Sequence, residues 1–347
     1  MPQKIKVLVV DDSATFRKAI SNVLAEDPDI EVVGVAPDGS LALKKIEQLN
    51  PDIVTLDIEM PVMDGLTALR EINKAYPSVS VIMFSVHTER GAEKTIEALT
   101  LGAADFVTKH SGSGSFEANL EIMRQDLLSK IKGCKASKKT EEIKKAPLPF
   151  KPHVLPMRRD VIAIGSSTGG PNALLEIIPK FPKAINSAIL IVQHMPPIFT
   201  EKLAQHLNAK SEVEVREGKE GDAVEPGVAL IAPGGYHMVV KKTPEGKMVI
   251  SLNQNAMENH CRPSVDVLFR SVAEHYGPKS VGIILTGMGR DGFEGVKLMK
   301  EKGAPIIAQN KETCVVWGMP RFVVEAGLAA SEVPISMVAQ EVSQFAV

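Results

Sequence analysis

Five polar side chains in the first third of the chain stand at the ends of short apolar runs. They are Asp11, Asp12, Asp57, Ser85 and Lys109. Clustered carboxylates repel one another unless a cation lies among them, and an all-oxygen site that retains water suits Mg²⁺. A nearby lysine and hydroxyl could hold the oxygens of a phosphoryl group. One acidic residue after a strand often only caps a helix or begins a turn, so the prediction of phosphate chemistry depends on all five positions together.

A second set of residues suited to chemistry lies in the second half of the chain, after three more apolar runs. Ser167 stands in Gly-Ser-Ser-Thr-Gly-Gly-Pro, His194 in Gln-His-Met-Pro-Pro and Asp291 in Gly-Arg-Asp-Gly. A serine on a tight strand-to-helix turn becomes a nucleophile when a histidine takes its proton and a carboxylate orients the imidazole. Amides of such a turn can stabilise an oxyanion. These residues predict acyl transfer, with Ser166 and Thr168 as competing hydroxyls.

Each of these motifs also has a simpler interpretation. The glycine-rich turn could cradle a phosphate, but it lacks the lysine of a P-loop and the glycine spacing of a dinucleotide-binding turn. His194 can simply close a loop, and Asp291 before Gly292 is a common turn. Cys261 and Cys314 are further possible nucleophiles, although the sequence Thr-Cys-Val-Val predicts a buried strand around Cys314.

A regular alternation of strands and helices must position the first set of residues. The apolar runs predict strands at 6–10, 31–36, 53–56, 79–84 and 105–108. Amphipathic segments predict helices near 14–26, 39–48, 65–75, 90–101 and 116–131. This alternation gives a doubly wound parallel α/β sheet, whose functional groups gather at the carboxyl ends of the strands. The ends of strands one, three and five should therefore lie close together.

The same pattern restarts after residue 160. Strands are predicted at 161–164, 187–192 and 280–285, and each ends near one of the three candidate catalytic residues. Further strands are predicted at 228–232, 238–242 and 248–252, the last two joined by a Pro-Glu-Gly turn. The second half is therefore predicted as another doubly wound parallel sheet with an antiparallel hairpin added.

Charge and composition divide the chain into three parts. Residues 1–129 carry 12 basic and 20 acidic side chains, residues 130–159 carry 10 and 2, and residues 160–347 carry 18 and 20. The middle part contains four prolines and few large apolar residues, so it cannot offset its ordering entropy by burial. We predict two domains, 1–129 and 157–347, and a linker at 130–156. The linker is expected to be a solvated tether, and a second interpretation places its positive charge against the acidic first domain.

The composition excludes several classes of protein. The chain has 347 residues, 44% hydrophobic and 24% charged, and its net charge of −2 gives no overall field that attracts nucleic acid. No apolar run approaches the roughly 18 residues that span a bilayer, and the amino terminus lacks the pattern of a signal peptide. Three widely spaced cysteines indicate neither a disulfide framework nor a CxxC metal site. We therefore expect a cytoplasmic protein without membrane insertion.

The first part of the chain, over about residues 4–125, resembles the receiver domains of bacterial two-component response regulators. The resemblance is carried by VLVVDDS, LDIEMPVMDG, FSVHT and GAADFVTK. It implies phosphoryl transfer from a histidine kinase to an aspartate. The implied site residues are the phosphoacceptor Asp57, the Mg²⁺ ligands Asp11, Asp12, Asp57 and the backbone of Glu59, and the switch residues Ser85 and Lys109. His110 stands where the family usually has proline, which concerns the geometry of the last loop and not the chemistry.

The second part resembles the effector domain of the chemotaxis protein-glutamate methylesterases. The matching motifs are IGSSTGGP, VQHMPP, APGGYHM, CRPSVDVLF, ILTGMGRDG and QNKETCVVWGMP. This resemblance implies that Ser167 is the nucleophile, His194 the general base and Asp291 the residue that orients it. It also implies that the Thr168 hydroxyl and the amides around Met288 stabilise the transition state.

Together the two resemblances cover nearly the whole chain and imply a phosphorylation-activated hydrolase. The implied substrates are glutamate γ-methyl esters, and also glutamines, on chemoreceptors, and the implied phosphodonor is the chemotaxis histidine kinase. Mg²⁺ would serve phosphorylation, and the esterase site would need no cofactor. Two other classes stay open. One is a response regulator that binds DNA, which the net charge of −2 over residues 160–347 disfavours, and the other is an adaptor that binds receptors without catalysis.

Overall fold

The computed structural model describes residues 4–109, 116–138 and 158–345. The chain forms two compact units, Met1–Lys138 and Lys139–Val347. Within the described ranges, no helix combines the length and the apolar character that a bilayer crossing requires. His110 lies outside the described residues, as does part of the predicted linker.

The first unit is the predicted parallel sheet with helices on its faces. Its strands are β1 (Ile5–Val10), β2 (Ile30–Ala36), β3 (Ile53–Asp57), β4 (Ser80–Val86) and β5 (Asp105–Lys109), and its helices are α1 (Ala14–Ala25), α2 (Gly39–Leu49), α3 (Gly65–Ala75), α4 (Glu89–Thr100) and α5 (Phe116–Lys138). The strand order is β2-β1-β3-β4-β5, and all pairs are parallel. The central strands are buried because helices cover both faces of the sheet. The fold class and the closeness of the β1, β3 and β5 ends are thus confirmed.

The helices of this unit begin at side chains other than the candidate site residues. The capping side chains accept hydrogen bonds from amides of the first helical turns, and they belong to Ser13, Asp38, Asp64 and Thr88. Capping therefore explains Asp38 and Asp64 but not the acidic residues at the ends of β1 and β3.

Helix α5 is longer than the sequence indicated. It ends at Lys138, so residues 130–138 of the predicted linker are helical. Ile131 and Cys134 are buried and continue the apolar stripe of the helix, which their separation by basic residues obscured. Lys132 lies 2.8 Å from an Asp27 carboxylate oxygen, so positive charge of this segment does pair with the acidic first unit. Residues 139–156 of the predicted linker lie outside the described residues.

The second unit contains a seven-stranded parallel sheet. Its strands are β6 (Val161–Ser166), β7 (Ala188–Gln193), β8 (Glu214–Glu217), β9 (Val228–Ile231), β12 (Ser280–Ile284), β13 (Ile306–Gln309) and β14 (Ser331–Val333), and its helices are α6 (Gly170–Ile177), α7 (Phe199–Asn208), α8 (Val265–Tyr276), α9 (Phe293–Glu301), α10 (Met319–Glu325) and α11 (Ile335–Phe345). The strand order is β14-β13-β12-β6-β7-β9-β8. The six strands predicted at 161–164, 187–192, 228–232, 238–242, 248–252 and 280–285 are present, and the predicted hairpin is β10 (His237–Lys242) with β11 (Met248–Asn253). The strands β8, β13 and β14, each of three or four residues, were not predicted.

The predicted strand around Cys314 is wrong. Cys314 is buried, but it follows a single 3₁₀ turn over Lys311–Thr313. The side chain of Asn310 accepts hydrogen bonds from both the amide and the hydroxyl of Thr313, and this turn overrides the β propensity of the valines that follow.

Helix α8 packs closely on the strand that leads to the candidate nucleophile. A Cβ atom on Gly165 of β6 would lie 2.3 Å from Val265 Cγ1, so only glycine lets the first turn of α8 approach β6 this closely. A Cβ atom on Gly292, whose φ is +90°, would lie 2.8 Å from the same Val265 Cγ1 atom. The amino-terminal end of α8 is thereby fixed between the ends of β6 and β12.

Candidate active site and phosphoacceptor site

Three of the first-unit candidates form one charged cluster at the carboxyl edge of the sheet. Lys109 Nζ lies 2.6 Å from Asp11 Oδ2 and 2.8 Å from Asp57 Oδ1. Asp11 and Asp57 are buried, at 0% and 7% exposure, whereas Asp12 is exposed. The order of the strands brings these residues together because β1 and β3 are neighbours and β5 lies beyond β4.

The acidic cluster has the composition of a site for a hard cation. Ligand oxygens of Asp11, Asp12 and Asp57 lie within 4.8 Å of one another. Burial raises the pKa of Asp57 to about 6, the Asp11 charge adds to this rise, and Lys109 offsets only part of it. An all-oxygen set that retains open positions fits Mg²⁺, which would relieve the repulsion among the carboxylates. The Glu59 carboxylate accepts a hydrogen bond from Lys94 Nζ at 2.6 Å, so this side chain is engaged by Lys94.

Ser85 lines the same pocket, but its hydroxyl is held by helix α4. Ser85 Oγ donates to the Gly91 carbonyl at 3.1 Å, and Thr95 Oγ1 donates to Ser85 Oγ at 2.6 Å. The structure therefore brings Ser85 to the edge of the site and ties its hydroxyl to α4. The partner Thr95 was not anticipated, since its position on the buried face of an amphipathic helix predicts only packing.

In the second unit, the end of β12 presses against the turn that carries the candidate nucleophile. The Ser167 amide donates to the Thr286 carbonyl at 3.0 Å. A Cβ atom on Gly287 would lie 2.9 Å from Ser167 Cβ, so this close approach requires glycine. Met288, the next residue, is consequently near the Ser167 turn, with its side chain exposed. Thr168 is buried, and its carbonyl accepts the Thr286 hydroxyl at 2.9 Å.

Gln193 binds the hydroxyl of Ser166, which gives this one of the two serines of the turn a structural role. Ser166 is fully buried, and its hydroxyl donates to Gln193 Oε1 at 2.7 Å. Gln193 Nε2 donates to the carbonyls of Ser167 at 3.0 Å and His194 at 3.2 Å. This arrangement favours Ser167, which is half-buried, over Ser166 as the reactive hydroxyl. Gln193 itself was not singled out from the sequence, where one glutamine at a strand end carries no distinctive pattern.

His194 and Asp291 are in direct contact. His194 Nε2 lies 2.7 Å from Asp291 Oδ2, and both side chains are largely buried. Because the carboxylate accepts at Nε2, that nitrogen carries the ring proton, and Nδ1 has the lone pair when the imidazole is neutral. Within the described residues, the hydrogen bonds of Ser167 are made by its backbone, so its hydroxyl is not bonded to His194 in this structure.

Asp291 is held as a carboxylate by the start of helix α8. Its Oδ1 atom accepts hydrogen bonds from Ser264 Oγ at 2.7 Å and Asn259 Nδ2 at 2.9 Å, and the amide of Val265 donates to Oδ2 at 2.7 Å. Burial alone would raise the pKa of Asp291, but these bonds and the contact with His194 hold it below its usual range. Asn259 and Ser264 could not be found from spacing, since they belong to an irregular segment that only the folded chain brings to Asp291.

Cys261 lies on the other side of the imidazole. Its Sγ atom is 3.6 Å from His194 Nδ1. Burial would lower the pKa of His194, but the hydrogen bonds to Asp291 and Cys261 outweigh it and raise the pKa. Cys314, the other thiol considered from the sequence, is buried, and burial raises the pKa of its thiol, which disfavours it as a nucleophile.

The fold and the two sites define a class of protein that joins a receiver-type acidic cluster to a hydrolase-type Ser, His and Asp arrangement. The sequence pattern of the CheB methylesterase family matches residues 162–342, and that of the response regulator receiver domain matches residues 7–121. The chain belongs to the CheB methylesterase family and carries a response regulator receiver domain.

Similar proteins agree with this assignment over the full length of the chain. A protein-glutamate methylesterase/protein-glutamine glutaminase from Trichodesmium erythraeum is 44% identical, with 98% of each chain covered. A protein of the same name from Pyrococcus horikoshii is 43% identical, covering 99% of this chain and 94% of the other. The solved CheB methylesterase catalytic domain of Thermotoga maritima aligns with 53% of this chain and 97% of its own, at 43% identity and a TM-score of 0.52.

Proposed function

We propose that this chain hydrolyses the γ-methyl esters of glutamate side chains on chemoreceptors, and deamidates receptor glutamines, under the control of phosphorylation. The observation that carries the proposal is the 2.7 Å contact between His194 and Asp291 beside the Ser167 turn. The names of the full-length relatives specify both reactions. Sensory adaptation in chemotaxis is the process that such a reaction serves.

The proposed reaction is acyl transfer through a serine ester. Ser167 Oγ attacks the ester carbonyl while His194 takes the hydroxyl proton, and the oxyanion is stabilised by the Thr168 hydroxyl and the amide of Met288. His194 then returns the proton to the departing methoxide, and methanol leaves. Water attacks the acyl-enzyme with His194 as base, which releases glutamate and restores Ser167. With ammonia in place of methanol, the same steps deamidate glutamine.

Asp291 supports this sequence without touching the substrate. It keeps the proton of the imidazole on Nε2 and stabilises the imidazolium that forms when the Ser167 proton is taken. Its own hydrogen bonds from Asn259, Ser264 and Val265 prevent it from rotating away from the ring.

Control of the reaction is assigned to the first unit. The chemotaxis histidine kinase would transfer a phosphoryl group to Asp57, and Asp11, Asp12, Asp57 and the backbone of Glu59 would hold Mg²⁺. When bound, the cation supplies positive charge that offsets the charge developing on the phosphoryl oxygens. Lys109 Nζ, which lies 2.8 Å from Asp57 Oδ1, would contact those oxygens, and Ser85 would join it as the second switch residue. The cytoplasm, where the kinase and the receptor helices meet, is the proposed location, with neither nucleic acid nor membrane insertion involved.

The decisive experiment measures methanol release from methylated receptor. Wild-type protein should release methanol, Ser167→Ala should release almost none, and Ser166→Ala should retain more activity than Ser167→Ala. A serine-directed covalent probe should label wild type and not Ser167→Ala. An unlabelled wild type would support the adaptor instead, and near-normal methanol release by Ser167→Ala would move the nucleophile to Ser166 or Thr168. A mobility-shift assay with DNA should remain negative.

A further inference from the structure

The thiol of Cys261 has no task in the proposed acyl transfer, yet it faces the catalytic imidazole. Cys261 Sγ lies 3.6 Å from His194 Nδ1, and Asp291 holds the opposite nitrogen of the same ring. Ligand atoms of the three residues lie within 4.8 Å of one another. Cys261 is half-buried, so part of its surface is open to solvent.

The separation of sulfur and nitrogen fits joint coordination of a tetrahedral cation. For Zn–S bonds of about 2.3 Å and Zn–N bonds of about 2.0–2.1 Å, two ligands at the tetrahedral angle lie about 3.6 Å apart. The distance between Cys261 Sγ and His194 Nδ1 is 3.6 Å without any movement of either side chain. A plain S–H···N hydrogen bond has a similar length, so the experiment below detects the thiolate–metal bond itself.

The surroundings of the imidazole are also those of a metal ligand. Histidines that bind metals commonly donate their second ring N–H to a carboxylate, which fixes the tautomer and the ring orientation. Asp291 serves in this way at Nε2, and its Oδ1 atom is engaged by Asn259 and Ser264. In the neutral ring, the lone pair of Nδ1 therefore points toward the side where Cys261 lies.

We propose that Cys261 and His194 form a binding site for a borderline divalent cation of the Zn²⁺ class, and that the bound cation inhibits the esterase. The site itself stands on the geometry alone, whereas the inhibition rests on the proposed function. The cation would occupy Nδ1, the nitrogen that must take the Ser167 proton. Water or a substrate oxygen completes the coordination, and the thiol proton is released to solvent. Mg²⁺ prefers oxygen ligands and would not compete for this site.

The test uses the full chain with Co²⁺ as a spectroscopic substitute for Zn²⁺, in excess Mg²⁺ so that the acidic cluster of the first unit is saturated. Wild type should show a thiolate-to-Co²⁺ charge-transfer band that Zn²⁺ removes with 1:1 stoichiometry. Cys261→Ser and His194→Ala should lose the band, and Cys134→Ser, which changes a buried cysteine of the other unit, should keep it. Loss of one ligand should weaken Zn²⁺ affinity by at least about 10-fold.

Methanol release gives the second measurement, with each variant compared with its own chelator-treated rate. Zn²⁺ should inhibit wild type and Cys134→Ser, a chelator should restore the rate, and Cys261→Ser should need at least about 10-fold more Zn²⁺. A wild type without the charge-transfer band would overturn the site, whatever its activity. A band in an active esterase that Zn²⁺ does not inhibit would overturn the inhibition. Because the spectrum does not depend on turnover, failure of the proposed function is distinguishable from failure of the site.

Discussion

Ser166 donates its hydroxyl to Gln193 Oε1 over 2.7 Å, across two neighbouring strands and 27 positions of sequence. The same amide donates to the carbonyls of Ser167 and His194, so one side chain sets the position of both the proposed nucleophile and the proposed base. A Cβ atom on Gly170 would lie 1.9 Å from Gln193 Oε1, which shows how tightly the amide is enclosed. The geometry of the site therefore depends on a residue that need not touch the substrate.

Replacement of this amide should cost both stability and turnover. Gln193→Ala leaves the buried Ser166 hydroxyl without its acceptor, which should lower the free energy of unfolding by about 1–3 kcal/mol. It should also lower the rate of methanol release, because the Ser167 and His194 carbonyls lose their common donor. Denaturant unfolding followed by fluorescence of Trp317, the single tryptophan, monitors the second unit.

A double-mutant cycle gives the control for Gln193. Adding Ser166→Ala to Gln193→Ala removes both partners, so the double variant should be less destabilised than the sum of the single changes. Strict additivity, or a Gln193→Ala protein as stable as wild type, contradicts the assigned role.

The pH profile of ester hydrolysis should reveal the coupling of His194 to Asp291. The base must be neutral to take the Ser167 proton, so the rate should rise as the pH increases through the pKa of His194. Asp291 raises that pKa above its ordinary value of 6.5. In Asp291→Asn the carboxylate is lost while burial remains, so the rising limb should move to lower pH. The maximal rate should fall by about 10²- to 10⁴-fold, because the imidazole is no longer held in the required tautomer.

Comparison of the catalytic variants shows whether Asp291 orients the imidazole or binds the substrate. Ser167 and His194 serve the same proton transfer, so the Ser167→Ala/His194→Ala double variant should be hardly less active than either single variant. Asp291→Ala should retain more activity than either single variant. A rising limb at the same pH in wild type and Asp291→Asn would show that Asp291 does not set the pKa of His194.

Strand ends were predictable because apolar runs bounded by glycine and polar residues have few alternatives. The runs before Asp57, Ser167 and His194 are completely buried strands in the structure. Parallel strands place such ends at one edge of a sheet, and in the structure Asp11 and Asp57 lie close together, as do His194 and Asp291.

The pattern of strands could not predict side-chain partners that come from irregular segments. Asn259 and Cys261 lie between β11 and α8, and their contacts with Asp291 and His194 span 32 and 67 positions. Both Asn259 and His260 have positive φ angles, so the path of this segment follows no repeating pattern that a sequence could display. Asn259 Nδ2 also donates to Asp266 Oδ2 on α8, so these contacts depend on where α8 lies.

Asp57→Asn should stabilise the first unit at neutral pH in the absence of Mg²⁺. Burial raises the pKa of Asp57 from 3.8 to about 6, so ionisation of this carboxylate opposes folding. The penalty is absent below pH 4, grows as the pH rises through about 6, and is constant above it. Removal of the charge should therefore raise the free energy of unfolding by up to about 3 kcal/mol at pH 8, with little effect at pH 4.

Hydrogen exchange of peptides from residues 4–109 measures this change, since Trp317 lies in the other unit. Mg²⁺ should slow hydrogen exchange in wild type, because the cation binds the ionised carboxylates of the folded unit. The difference in exchange between wild type and Asp57→Asn should therefore become smaller. Lys109→Met is the matched variant: it removes the charge that offsets the penalty and should destabilise the unit at pH 8. Equal hydrogen-exchange protection of wild type and Asp57→Asn at pH 8 would show that ionisation of Asp57 does not oppose folding.

A fragment that contains only the second unit should no longer be controlled by the first unit. Our hypothesis for this control is that the unphosphorylated first unit restricts access to the esterase, and that phosphorylation shifts a two-state equilibrium between restricted and open forms. A shift of about 1.4 kcal/mol in the free-energy difference between the two forms changes the open population tenfold when the open form is rare. A fragment of residues 158–347 should therefore hydrolyse esters faster than the unphosphorylated full chain.

The same fragment distinguishes inhibition from assistance by the receiver. Ester hydrolysis would be measured for the fragment, the full chain and full-length Asp57→Asn, each with and without a small phosphodonor and Mg²⁺. The phosphodonor should accelerate only the full chain, since the fragment lacks Asp57 and the variant lacks its carboxylate. If the fragment were slower than the unphosphorylated parent, simple restriction of access would be wrong. The receiver would then act by contributing binding surface for the receptor or by stabilising the catalytic unit, and unfolding of the fragment, monitored at Trp317, would separate these two roles.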